Sequence, residues 1–196
     1  MSMNAAMAGP SLGVSRHIGS IARHALQEKL DSRPGFGERG QFIRISANRP
    51  TLAPFAYVKL CMTSPRDCRG GGSEIARIDD KTFSRVDGIN RSVNRSIRPR
   101  NERGDTWQAD VKAGDCEDYA LTKRRRLIEM GLPASAMRMA VVKTGSGEGH
   151  AVLVVRSNRG DLVLDNRTNA IREWYKTGLV WLKVQSGSDP SRWYTL

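Results

Sequence analysis

No stretch of this chain approaches the roughly 18 consecutive apolar residues that a membrane-spanning helix needs, so a membrane span is not expected. Histidine and cysteine are scarce, with three of each in 196 residues. Cys61 and Cys68 have no second Cys/His pair to complete a four-ligand zinc set, which argues against a structural metal there. Acidic residues are outnumbered, 20 against 32 basic ones, for a formal net charge of +12. Such a surplus suits anionic partners in general but names no reaction, and nucleic acid is not the expected partner. The first ten residues lack a basic segment followed by a continuous apolar one, so no signal peptide is recognisable. At this length the chain is suited to one domain with a proper core rather than two.

What is present gathers around Gly114-Asp115-Cys116-Glu117-Asp118-Tyr119-Ala120. Asp115 suits a helix N-cap, and Asp118 stands three residues on, as in a capping box. Cys116 then opens a helix running to Met130, where unpaired amides and the positive end of the helix dipole favour a thiolate. Gly131-Leu132-Pro133 stops that helix. The cysteine is thus a nucleophile or a small buried apolar residue, and the rest of the chain must decide.

Residues 1–40 are expected to be disordered or loosely helical, with a short basic helix over 15–30 and a Pro/Gly linker from Asp31 to Gly40. His17 and His24 lack acidic or cysteine neighbours and are expected at the surface. Residues 41–196 form the domain. Within it, Gln41 to Ser46 suggests an edge strand and Pro54 to Met62 a short helix. Ile75, Ile78, Phe83, Val86, Ile89 or Asn90, Val93 and Ile97 recur at spacings of mostly three and four, predicting one helix from Ser73 to Ile97, with Asn90 and Asn94 one turn apart and expected toward solvent. Trp107 either anchors its polar loop to the core or lines a cleft. Lys123 to Arg126 is expected as a solvated helix face.

Six residues separate Cys61 from Cys68. A bridge between them would staple a short loop and imply an oxidising compartment, whereas two free thiols would suit a cytosolic protein. The bridge is the expectation.

The last third alternates short runs of Val, Leu, Met and Ala with turn residues. Strands are expected over Met137 to Lys143, His150 to Arg156 and Asp161 to Asp165. Pairing Arg156 with Asp161 across the Ser157-to-Gly160 loop opposes Val152 and Asp165. His150, two residues from Val152, then shares a face with Asp165 as its diagonal neighbour. A nucleophile at a helix start, a base opening a strand and a carboxylate on the neighbouring strand form the set a cysteine protease needs.

The three segments around Cys116, Gly149-His150-Ala151-Val152-Leu153 and Leu162-Val163-Leu164-Asp165-Asn166 resemble the motifs of the bacterial transglutaminase-like cysteine proteinases. That family includes periplasmic proteases that release adhesins from the cell surface. The resemblance covers roughly Ile75 to Trp193 and implies a single α+β domain of transglutaminase-like, papain-related architecture, its helical N-terminal part packed on an antiparallel sheet. It implies Cys116 as nucleophile, His150 as general base and acid, and Asp165 as the orienting carboxylate; Trp107 and the Cys116 amide are the oxyanion candidates. A protein substrate and a periplasmic or secreted location follow, with the cytoplasm as alternative. The chemistry requires no cofactor. Some relatives bind calcium through acidic residues flanking the cysteine, positions that Asp115, Glu117 and Asp118 match, although helix capping also accounts for Asp115 and Asp118. Peptide hydrolysis comes first, glutamine transamidation or deamidation second, and a basic non-catalytic binding protein third. The resemblance sets neither substrate identity nor oligomeric state.

Overall fold

The computed structural model describes residues 42–100 and 105–196; the expectations for residues 1–40 lie outside them. Seven strands make one sheet in which every pairing is antiparallel. They are β1 (Pro50–Thr51), β4 (Met137–Lys143), β5 (Gly149–Ser157), β6 (Gly160–Leu164), β7 (Arg172–Glu173), β8 (Val180–Gln185) and β9 (Trp193–Thr195), in the order β1-β9-β8-β4-β5-β6-β7. A parallel pair, β2 (Arg98–Pro99) and β3 (Ala113–Gly114), stands apart. Three α-helices complete the architecture: α1 (Phe55–Thr63), α2 (Asp80–Ser96) and α3 (Cys116–Glu129).

The central strands β4, β5 and β6 are buried on both faces, which explains their nearly continuous apolar sequence. Met137, Met139, Leu153, Val155, Leu162 and Leu164 point into the main core, where they meet Ala120, Leu121 and Leu127 of α3. The alternate residues Ala140, Val142, Val152, Val154 and Val163 form a second core with Ile45 and Val184 on the other face. The β5–β6 register is the one expected, with Arg156 opposite Asp161 and Ser157 opposite Gly160. Gly160 takes φ +94 in that turn, a conformation that favours glycine.

The ends of α3 follow local chemistry. Gly131 adopts φ +102, its amide reaches Ile128 O at 2.9 Å, and Leu132 N reaches Leu127 O at 3.0 Å. That Schellman arrangement satisfies the last carbonyls before Pro133. At the other end Asp115 holds the N-cap position in extended backbone, but its side chain makes no capping hydrogen bond.

Three local expectations are corrected. The second helix begins at Asp80 rather than Ser73, because Asp79 caps it by accepting from Thr82 N at 2.7 Å. The residues before it are committed elsewhere: Ala76 bridges Ser157, and Ile78 N donates to Asn158 Oδ1 at 2.7 Å. Residues 42–48 form no strand. They are tied to the sheet by hydrogen bonds that include Ile45 N to the buried Asp161 carboxylate at 2.7 Å and Asn48 N to Thr195 O at 2.9 Å. The basic run of α3 is solvated at Arg126 but not along its length. Lys123 and Arg124 are buried, and Arg124 donates to the carbonyls of Asp67 and Arg69 at 2.9 and 2.7 Å. Arg125 pairs with Asp67 at 2.6 Å. Arg124 and Arg125 clasp the loop closed by the Cys61–Cys68 disulfide, which is present.

Candidate active site

Cys116 is the first residue of α3 and is half-buried, the free cysteine among the described residues. The chain enters the helix through Gly114, where a Cβ would overlap the Asp118 carboxylate. Asp118 in turn accepts from Gln108 N at 2.8 Å, and Thr122 Oγ1 accepts from Asp110 N at 2.8 Å. The 107–110 loop is thereby laced along the start of α3. Trp107 fulfils both of the alternatives open for it. Its buried ring packs edge-on to Tyr57 with centroids 5.7 Å apart, and it also lines the cleft at Cys116. Its indole N–H donates to Asp105 Oδ1 at 2.8 Å.

Strand β5 runs past the helix start, so that Ala151 N donates to the Cys116 sulfur at 3.3 Å. One residue earlier, His150 Nε2 lies 2.8 Å from Asp165 Oδ1, just past the end of β6. Both His150 and Asp165 are buried. Asp165 Oδ1 also accepts from Arg167 N at 2.9 Å. Burial alone would raise the Asp165 pKa. The bonds from His150 and Arg167, with the charges of His150 and Lys123, overcome that and hold it below the usual carboxylate value. The ionised carboxylate accepts from Nε2–H, and Nδ1 is then the ring nitrogen that can serve a thiol. Cys116 and His150 share a cleft of about 300 Å³ with Trp107, Glu117, Val141 and Ala151.

The thiol departs from expectation. Burial, then the charge and hydrogen bond of Glu117, push the Cys116 pKa well up, and the Ala151 amide offsets only part of this. The sulfur donates to Glu117 Oε2 at 3.1 Å. Glu117 is itself raised to about 8, first by burial and further by the neighbouring Asp115 carboxylate. The helix start is present, but desolvation and the neighbouring Glu117 act against its dipole at this sulfur. At neutral pH the resting Cys116 side chain is therefore a thiol.

Asn90 and Asn94, expected at the surface, instead hold the chain beyond Asp165. Asn94 Nδ2 donates to Asp165 O at 3.1 Å, Thr168 O at 3.2 Å and Asn169 Oδ1 at 3.0 Å; Asn90 Nδ2 donates to Asn169 O at 3.1 Å. Their spacing of one helical turn was the available signal. Neither the direction they face nor the burial of Lys123 could be read from it.

A family model described as bacterial transglutaminase-like cysteine proteinase matches residues 47–196. The chain belongs to the bacterial transglutaminase-like cysteine proteinases. The match extends upstream of the region where the motifs lie. Among solved structures, calcium-bound LapG of Legionella pneumophila is 21% identical over 52% of this chain and 64% of that one, with a TM-score of 0.48. The EGTA-treated form of the same protein gives 21%, 52%, 62% and 0.47. The chain thus spans less than two thirds of these relatives. A search of curated proteins finds no match.

Proposed function

We propose that the chain hydrolyses a peptide bond in a protein substrate, with Cys116 as nucleophile, His150 as general base and acid, and Asp165 as the group that orients the imidazole. The observation that supports this most is the 2.8 Å His150–Asp165 contact beside a strand whose next amide meets the Cys116 sulfur. Because the resting sulfur is a thiol, His150 takes its proton as attack proceeds rather than beforehand. The sulfur bonds to the carbonyl carbon, and the Asp165 carboxylate stabilises the imidazolium. The backbone N–H of Cys116, at the helix start, faces the developing oxyanion. The Trp107 indole is engaged by Asp105, so its part is to wall the cleft. Collapse breaks the C–N bond as His150 returns its proton to the leaving amine. Water, deprotonated by the same imidazole, then adds to the thioester carbonyl, and the C–S bond breaks as the imidazolium returns that proton to the Cys116 sulfur.

Calcium enters no step of this account. Asp115 and Glu117 bring two carboxylates beside the cysteine, but Asp118 accepts from the Gln108 amide, and among the described residues no group of three His, Cys, Asp or Glu side chains is placed to hold a metal ion. Calcium takes six to eight oxygens, which this set does not fit. The Cys61–Cys68 bridge supports a periplasmic or secreted setting, and with it a periplasmic or cell-surface substrate. No helix among the described residues is long and apolar enough to cross a membrane. Part of the basic surplus is internal: Arg44, Arg138 and Arg156 all surround the buried Asp161, and Arg125 pairs with Asp67. This disfavours a phosphate-binding role.

Incubation with a diverse peptide mixture, followed by mass spectrometry of new termini, tests the reading. Wild type should generate new N-termini that Cys116→Ser does not. Glutamine deamidation or amine incorporation without new termini would replace hydrolysis with acyl transfer to another acceptor. No Cys116-dependent product of either kind would overturn both.

A further inference from the structure

Lys123 has no evident structural reason to be a lysine. It stands seven residues after Cys116, two turns along the same helix, and so on the same face. It is 0% exposed, and its Nζ has no hydrogen-bond partner among the described residues. Burying an ammonium that way opposes folding, and methionine would fill similar space without a charge. Its electrostatic partner is functional: Asp165 is the charged group that acts on it, and Lys123 in turn helps hold Asp165 ionised. The other groups gathered at Asp165 are His150 and the Arg167 amide on the carboxylate and the neutral Asn94 on the backbone carbonyl.

We propose that Lys123 is a positioning residue that acts through Asp165, its ammonium competing with the His150 imidazolium for one buried carboxylate. The inference rests on the Cys116–His150–Asp165 reading. Protonated, Lys123 draws on the charge that would otherwise stabilise the imidazolium; deprotonated, it leaves that charge to His150. Burial brings the Lys123 pKa down to about 7, so the exchange falls within the working range of a histidine base. The protease would then gain nucleophile activation as the medium rises from mildly acidic to neutral.

The test is an NMR titration of the histidine ring carbons in the full chain. There are three histidines, and His150→Ala identifies the relevant signal. In K123M and K123Q the His150 midpoint should move upward by about half a pH unit or more, the order a nearby unit charge produces. The inflection in the pH profile of Cys116 alkylation should move upward with it in both variants. An unmoved midpoint and an unchanged profile in either folded variant would overturn the proposal. If neither variant folds, the Lys123 Nζ of wild type is titrated directly. A midpoint that falls further in D165N supports the proposal, and a midpoint unmoved by D165N overturns it. The two readings fail differently. Alkylation indifferent to His150 would sink the catalytic assignment while the ring titration still reports the Lys123 charge. A His150-dependent rate with an unmoved titration would sink only the role of Lys123.

Discussion

Replacing Asn94 with alanine should loosen Asp165 without touching the side chains of Cys116, His150 or Asp165. Asn94 Nδ2 has two hydrogens shared among three acceptors at 3.0–3.2 Å: Asp165 O, Thr168 O and Asn169 Oδ1. Counting two net hydrogen bonds at about 0.5–1.5 kcal/mol each, and discounting for partial exposure, the loss of stability should be about 1–2 kcal/mol. The catalytic effect should be larger than that figure suggests. The Asp165 carboxylate is carried by its own backbone, and its 2.8 Å contact with His150 depends on where that backbone sits. A displacement of about 1 Å can cost on the order of a hundredfold in rate, so N94A should slow His150-dependent chemistry at Cys116 by about tenfold to a hundredfold. N94D should be worse at equal shape, because it aims a carboxylate at three oxygens. Urea unfolding followed by tryptophan fluorescence gives the stability, and alkylation of Cys116 gives the rate. A variant within about twofold of wild type in rate, at unchanged stability, would refute the idea that α2 positions the carboxylate.

Asp161→Ala should cost about 3–5 kcal/mol in urea unfolding, since it leaves the buried Arg138, 3.2 Å away, without its counter-charge and releases Ile45 N. A loss below about 1 kcal/mol would mean the arginines find other partners. Reducing Cys61–Cys68 should destabilise the chain by about 2–3 kcal/mol, the closure entropy of so short a loop, and lower the thermal midpoint; an unchanged midpoint counts against it. The folded-state pKa of Asp165 lies below its usual 3.8. Its contribution to stability is therefore complete above that value and is lost as pH falls through the lower folded one. Thermal midpoints measured from about pH 6 down to about pH 2.5 should fall less steeply for D165N than for wild type, and parallel curves would contradict this.

The features that could be read before folding were those set by short-range rules. Parity and a turn place His150 on the face of Asp165, and Gly131 with Pro133 ends α3 wherever the helix packs. The misread features depend on contacts distant in sequence. Apolar spacing continues through Ile75 and Ile78, but a bridge to Ser157 and the Asp79 cap settle where the helix begins. Lys123 to Arg126 has the composition of a wet surface, yet the disulfide loop folds over it and supplies carbonyls to Arg124. Asn90 and Asn94 are polar and helical, so only the path of residues 165–169 reveals that they face inward. The thiol illustrates a competition of magnitudes: sequence supplies the helix dipole, whereas packing supplies the desolvation that overrides it.

The assignment of Cys116 and His150 as nucleophile and base is tested most directly by the rate of thiol modification. With Cys61 and Cys68 bridged, a small electrophile has Cys116 as its target. The sulfur is a thiol at rest, so fast modification near neutral pH requires a neighbouring base. Iodoacetamide at about pH 7.5, below the ordinary thiol value of about 8.5, should label wild type at least about tenfold faster than His150→Ala, with D165N in between. Equal rates in wild type and His150→Ala, with both proteins folded, would contradict the account.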